Sequence, residues 1–308
     1  VKKEKGANSE ELVGRVLDVS RRHVTLLRPD GSKRSGTIAA KALDVVTGDL
    51  ARYEERDGKI LVTDVVPSVR TLSRSYRGNL KRMGANVDLL FVITSVGSTL
   101  NPVVIDRMLI AARIQGIPAV LVVNKADLGL EASEPILSAY RKIGVEVIEC
   151  SAKFGQDFEQ IEKRVQHESV NVVALCGVSG VGKSTILNRL IPGTGAKTGE
   201  VSEKTGQGRQ TTSQPRAFLY SNALAGQRIV IDFPGVQFFG LSHVAKEALP
   251  SAFPEFVEYG QGCRFINCRH LQEPECAVRD ALERGDIEPW RYNSYLQILD
   301  EIEEAREY

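Results

Sequence analysis

No apolar run in this chain approaches the ~18 consecutive residues that a membrane-spanning helix requires. Its opening residues, "VKKEKGANSEE", carry no charged-then-apolar leader. The expectation is a soluble, cytoplasmic protein that does not engage a membrane. Cysteine is scarce and odd in number, five among 308 residues, which argues against a disulfide framework. Residues 1–66 contain a single aromatic side chain, Tyr53, and no acidic residue lies between Pro67 and Asn86. Tryptophan occurs once and methionine twice. The net charge of +1 hides an asymmetry: residues 1–82 hold 18 Lys/Arg against 11 Asp/Glu, and residues 278–308 hold 4 against 9. One end is therefore basic and the other acidic.

What is present is ordinary for a globular protein, with 42% apolar and 26% charged residues. The length allows two or three domains at roughly 100–200 residues each. In 10–66 the short apolar runs "LVGRVLDV", "HVTLL", "SGTIAA" and "KILVTDVV" are separated by the turn signals "RPDG", "VTGD" and "ERDG". About five strands in so short a span predict a small β-barrel, OB-type or SH3-like. The next stretch, with Arg70, Arg74, Arg77, Lys81 and Arg82, reads as a basic linker over 68–85, solvated or in contact with phosphates. From Val87 long apolar strands alternate with helical periods over 103–115, 134–143 and 157–166, the pattern of a parallel sheet covered on both faces.

Within that region "NVVALC" runs into "GVSGVGKST" and then "TILNRLI", the strand, loop and helix of a phosphate-binding loop. The loop comprises Gly177, Val178, Ser179, Gly180, Val181, Gly182, Lys183, Ser184 and Thr185. Its glycines let backbone N–H groups converge on a β-phosphate, Lys183 reaches the β/γ oxygens, and Ser184 is a Mg²⁺ ligand. The base is named by "AVLVVNKAD". Asp127 can accept two hydrogen bonds from guanine, a donor pair that adenine lacks, while Asn124 and Lys125 brace the pocket. "VIECSAKFG" places Ser151, Ala152 and Lys153 at another strand end, where their N–H groups would close over the base. "RIVIDFPGV" supplies Asp232 for Mg²⁺ and the Gly235 N–H for the γ-phosphate. Thr211 or Thr212 in "GQGRQTTS" would be the switch-loop ligand to Mg²⁺, with Thr212 favoured. The base-recognition motifs precede the phosphate loop, an order that a circular permutation explains.

With "GRVLDV", "ANVDLLFVI", "NKAD", "SAK", "GVSGVGKST", "GEVSEKTGQGRQTT", "DFPGVQFFGL" and "CRFINCRHLQEPECAV" in this order, the chain resembles the circularly permuted ribosome-assembly GTPases of the RsgA/YjeQ type. The resemblance implies GTP hydrolysis to GDP in late maturation of the small (30S) ribosomal subunit, stimulated by that subunit and accompanied by rRNA binding. The poverty of aromatics in 1–66 suggests phosphate contacts rather than base stacking.

Two positions depart from the pattern. Val236 stands where Ras-like enzymes hold the water-orienting Gln, and Gln210 stands where family members commonly have His. Gln210 is the candidate to orient water, beside Lys183 and Gly235. Phe233 replaces the usual small polar residue after the Asp, and the sequence assigns it no role.

Cys263, Cys268, His270 and Cys276 fall within fourteen residues. Three thiolates and an imidazole complete a tetrahedral Zn²⁺, so this site should be structural. Cys150 and Cys176 end apolar strands and read as packing residues, and Tyr295, Leu296, Leu299 and Ile302 as a helical packing stripe below an acidic, solvated face. The expected architecture is multidomain: an N-terminal OB-type β-barrel (1–67), a central circularly permuted α/β P-loop GTPase domain (86–242) and a C-terminal zinc-binding helical domain (243–308). The expected protein is a monomer that uses GTP/GDP, Mg²⁺ and one structural Zn²⁺. The rival readings are a nonenzymatic GTP-gated RNA-binding assembly protein and a general P-loop ATPase.

Overall fold

A computed structural model describes residues 12–56, 58–76, 79–97, 99–195, 214–220, 227–235 and 239–305. The expected roles of Gln210, Thr211, Thr212 and Val236 lie outside the described residues.

The first five strands are β1 (Leu12–Ser20), β2 (His23–Leu27), β3 (Lys33–Ile38), β4 (Leu50–Arg56) and β5 (Lys59–Val65). They pair in the circuit β1-β2-β3-β5-β4, and β4 returns to β1. The pairs are antiparallel except β3 with β5. This closed circuit with one parallel pair is the OB-type arrangement. Alternate side chains, among them Val16, Val24, Leu26, Tyr53, Ile60 and Val62, point inward and fill it.

The basic stretch after the barrel is an ordered hairpin: β6 (Thr71–Tyr76) pairs antiparallel with β7 (Asn79–Ala85). The sequence suggested a linker because Thr, Ser, Arg and Lys dominate it. Only at its base do Leu72, Met83 and Ala85 become buried, while Leu80 and Lys81 near the tip stay exposed. Packing against neighbouring elements, which sequence pattern does not reveal, is what orders this segment.

The central sheet contains β8 (Leu89–Ser95), β9 (Ala119–Asn124), β10 (Glu146–Glu149), β11 (Val172–Cys176), β12 (Arg216–Tyr220) and β13 (Arg228–Asp232). Its order is β10-β9-β8-β11-β13-β12, parallel throughout except β12. Asp18 of β1 pairs with Arg216 of β12 and makes the barrel continuous with this sheet.

All seven residues of β8 are buried, because layers cover both faces. Leu90 and Val92 join the cluster containing Met108 and Ile298, and Leu89, Phe91 and Ile93 join the cluster containing Ile161 and Ile186. These covering residues come from α1 (Pro102–Ile114), α3 (Glu159–Gln166), α4 (Lys183–Leu190) and α7 (Pro289–Glu304). Also present are α2 (Glu134–Lys142), α5 (Pro254–Gly260) and α6 (Ala277–Glu283).

A buried ion-pair network fastens the C-terminal helices to the sheet layer. Arg291 of α7 donates through Nε to Glu255 of α5 at 2.6 Å and through a terminal nitrogen to Asp106 of α1. The Tyr140 hydroxyl of α2 donates to the same Asp106 at 2.8 Å. Of the expected packing stripe, Tyr295, Leu299 and Ile302 are buried and Leu296 is half-buried against the same core. The acidic face of α7 is more than solvated surface: Glu301 pairs with Arg107 and accepts from Leu241 N at 2.7 Å. Glu303 pairs with Arg269 at 2.5 Å.

Candidate nucleotide site and metal cluster

The phosphate loop leaves the buried end of β11 and enters α4 at Lys183. Gly182 has φ +96°, a left-handed conformation, and a side chain there would meet Asn124 Nδ2 at 2.1 Å. Glycine is needed on both counts. Lys183 Nζ donates to the carbonyls of Gly177 and Val178 at 2.9 and 2.8 Å, so the ammonium rests against the loop itself. Burial lowers the pKa of Lys183, and the nearby Asp232 carboxylate opposes that effect.

The base-recognition residues at the end of β9 are bonded directly to this loop. Asn124 Nδ2 donates to Val181 O at 2.9 Å, and Lys125 Nζ donates to Gly180 O at 2.9 Å. Asn124 Oδ1 accepts from Ala152 N at 3.0 Å. Asn124, Lys125, Ser151, Ala152 and the loop Gly180–Val181 are thereby one assembly. The Ser151 hydroxyl donates to Asp127 Oδ1 and fixes that carboxylate.

Two of the three amides expected over the base also have partners within the protein: Ser151 N donates to Gln156 O at 3.1 Å and Ala152 N to Asn124. Motif spacing does not reveal this, because it specifies which residues gather and not where each N–H points.

Asp232 ends β13 with its side chain buried, next to the exit of β11, for Phe233 N donates to Leu175 O at 3.1 Å. A Cβ on Gly235 would lie 3.1 Å from Ser179 N, so this backbone lies against the phosphate loop. The buried Asp232 carboxylate acts electrostatically on Lys183, the residue before Ser184, and a carboxylate with a hydroxyl is the hard-oxygen chemistry that suits Mg²⁺.

The cysteine block also fits its metal. The ligand atoms of Cys263, Cys268, His270 and Cys276 all lie within 4.8 Å of one another. Cys263 and Cys276 sulfurs are 4.0 Å apart, and His270 Nδ1 is 3.7 and 3.4 Å from them. A tetrahedron with Zn–S near 2.3 Å places sulfurs about 3.8 Å apart. The cluster is compatible with zinc. The tyrosines of α7 hold the loop: Tyr292 donates to His270 O at 2.5 Å and Tyr295 to Arg269 O at 2.6 Å. Cys150 and Cys176 are buried packing thiols, pushed up by desolvation to about 12 and about 11.

A phosphate loop and a guanine-type base loop, joined on a Ras-like sheet whose strands follow the chain in rotated order, define a circularly permuted P-loop GTPase. The chain belongs to the RsgA GTPase family, whose model matches residues 65–242, and it is a GTP-hydrolysing enzyme. It is 38% identical over 306 residues to a Bordetella pertussis protein named small ribosomal subunit biogenesis GTPase RsgA, covering 98% of this chain and 100% of that one. The structure is similar to YjeQ from Thermotoga maritima, with TM-score 0.73 and 25% identity, covering 95% of this chain and 98% of the other. YloQ, described as a circularly permuted GTPase, is similar in fold at TM-score 0.67 and 21% identity, with 98% of each chain covered.

Three site neighbours escaped the sequence reading. Phe233 is fully buried, His243 Nδ1 lies 2.8 Å from Ser75 Oγ of the hairpin, and Gln115 bonds both backbone groups of Ser73 at 2.7 and 3.3 Å. Burial lowers the pKa of His243. Phe233 falls within "RIVIDFPGV" without a role assigned to it there, and His243 and Gln115 belong to no motif. The departure of Phe233 from the family pattern was the one usable signal.

Proposed function

We propose that this GTPase is an assembly factor for the small ribosomal subunit, which binds rRNA and turns over GTP faster when bound to that subunit. The observation that carries the reading is the combination of a phosphate loop bonded to a guanine-type base loop with a chain-long likeness to a protein named for small-subunit biogenesis. The barrel and the basic hairpin would lie on rRNA, mostly through phosphates, since the barrel strands carry one aromatic ring, Tyr53. The protein acts as a cytoplasmic monomer in this reading, built from the parts 1–67, 86–242 and 243–308 with the hairpin between the first two.

At the site, Lys183 and the N–H groups of 177–185 bind the phosphates, and Asn124, Lys125, Asp127 and Lys153 hold guanine. Gly235 N–H meets the γ-phosphate. Ser184, Thr212 and Asp232 would hold Mg²⁺, which supplies charge neutralisation at the β- and γ-oxygens when bound. Gln210 orients the attacking water, and the zinc at Cys263, Cys268, His270 and Cys276 is structural. With Val236 in place of a water-orienting Gln, turnover by the isolated chain is slow, and the subunit completes the site, an effect that can reach roughly 10³–10⁵ in rate.

The test is GTP turnover with purified small or large ribosomal subunits, with ATP as competitor and Lys183→Ala as control. Stimulation by small subunits alone, abolished in the control, is the expected result. GTP-dependent binding without stimulation would favour a GTP-gated binding protein, and absence of binding would remove the partner.

A further inference from the structure

The loop that carries Gly235 is attached at both ends to one element, the β6–β7 hairpin. At its start, the Phe233 ring belongs to the same buried cluster as Leu72 and Met83 of the hairpin. Its tip occupies the place a side chain at position 84 would take, because a Cβ on Gly84 would lie 2.7 Å from Phe233 Cζ. Gly84 has no unusual backbone angle, so its lack of a side chain provides room for the ring. At the other end Gly240 forms a β-bridge with Ser75: Ser75 N donates to Gly240 O at 2.8 Å. A Cβ on Gly240 would come within 2.6 Å of Ser75 O. Each end of the loop therefore meets the hairpin at a glycine, one on the hairpin and one on the loop.

The hairpin is itself fixed on two other sides. Arg82 donates to Asp49 of the barrel at 2.6 Å, Ala85 N donates to Thr47 O at 2.9 Å, and the Gln115 side chain at the end of α1 pairs with Ser73 like a neighbouring strand. Phe233 directly follows Asp232 and lies two residues before Gly235. Asp232 is itself held in β13 between Leu175 and Arg216, so the seat of the ring bears on the backbone that follows it, toward Gly235.

We infer that Phe233, seated against Gly84, is a positioning residue for GTP hydrolysis: it sets the register of the loop that presents Gly235 to the γ-phosphate. The residue takes no part in the chemistry. The position has an asymmetric effect on nucleotides, because GDP has no γ-phosphate for Gly235 to meet. Misplacing reacting or stabilising groups by about 1 Å can cost on the order of 10² in rate. The inference rests on the GTPase assignment and not on the ribosomal partner, since the isolated chain suffices to test it.

The experiment compares the full-length parent, Gly84→Ala, Phe233→Leu and the double variant. It measures single-turnover GTP hydrolysis per nucleotide-bound chain, GTP and GDP affinities, and melting temperature. Gly84→Ala drives a methyl into a ring that has no solvent to retreat into, and the single-turnover rate should fall about tenfold or more while GDP affinity holds within about twofold. The shorter Leu relieves the overlap, so the double variant should hydrolyse faster than Gly84→Ala, a coupling that a general loss of folding would not produce. A parental rate in Gly84→Ala would overturn the inference. So would a double variant no faster than Gly84→Ala at equal melting temperature. Lack of any turnover by the parent would instead count against the GTPase assignment.

Discussion

Asn124 Nδ2 donates to the Val181 carbonyl at 2.9 Å, across 57 positions of sequence, and so ties the base-recognition strand to the phosphate loop. The same side chain accepts from Ala152 N at 3.0 Å, which makes it the joint of three loops. Asn124→Ala leaves a buried carbonyl and a buried N–H without these bonds, at about 1–3 kcal/mol each. GTP and GDP affinity should fall together, by about tenfold or more, in fluorescence titrations. A loss confined to GTP would show that Asn124 serves the γ-phosphate end instead.

Asp127 is aligned by the Ser151 hydroxyl. Asp127→Ala should cost about 10²-fold or more in GTP affinity and remove most discrimination against ATP, because the guanine donor pair loses its acceptor. Ser151→Ala should weaken GTP by only about fivefold, the scale of one ordinary hydrogen bond. Competition binding with ATP checks both, and retained GTP selectivity in Asp127→Ala would refute the assigned role.

Arg291 lies buried between Asp106 and Glu255. Removing it strands two carboxylates, so Arg291→Met should lose about 3–5 kcal/mol of stability. Desolvation holds Asp106 above its ordinary range, and Arg291, Ser294 and Tyr140 pull it back. In the variant the countercharge is gone and the folded-state pKa rises further. A raised carboxyl binds its proton more tightly folded than unfolded, so stability falls as pH rises from about 4 upward through the folded pKa. The deficit relative to the parent, from denaturation at matched pH, should shrink toward acid. A deficit independent of pH would exclude this linkage.

The thiol–imidazole cluster should bring one zinc per chain in metal analysis. Without metal, burial holds the Cys268 thiol up at about 12, so a metal must displace protons to bind there. Zinc retention should therefore strengthen as pH rises, and a strong chelator should lower the melting temperature. Cys263→Ser should reproduce that loss, and an unchanged melting temperature in the metal-free protein would show that zinc does not hold this region together.

The sequence by itself determined the GTPase class, because each motif is a short contiguous segment whose residue types suit one ligand: "GVSGVGKST" suits phosphates, "NKAD" suits guanine, and the Cys/His block is compatible with zinc. It also determined the barrel and the permuted sheet, since alternating and continuous apolar runs report burial directly. Only the tertiary structure decided the rest. The basic stretch 68–85 carries no apolar pattern, yet it is an ordered hairpin, for its order comes from contacts made by Leu72, Met83 and Arg82 with distant parts. Phe233 had no legible role because its partner, Gly84, is a residue without a side chain, located 149 positions earlier. Glu301 read as a solvated charge until Arg107 and the amide of Leu241 stood beside it. A motif records what a segment does for a ligand, whereas positioning depends on complementary shape and charge between segments that meet only after folding.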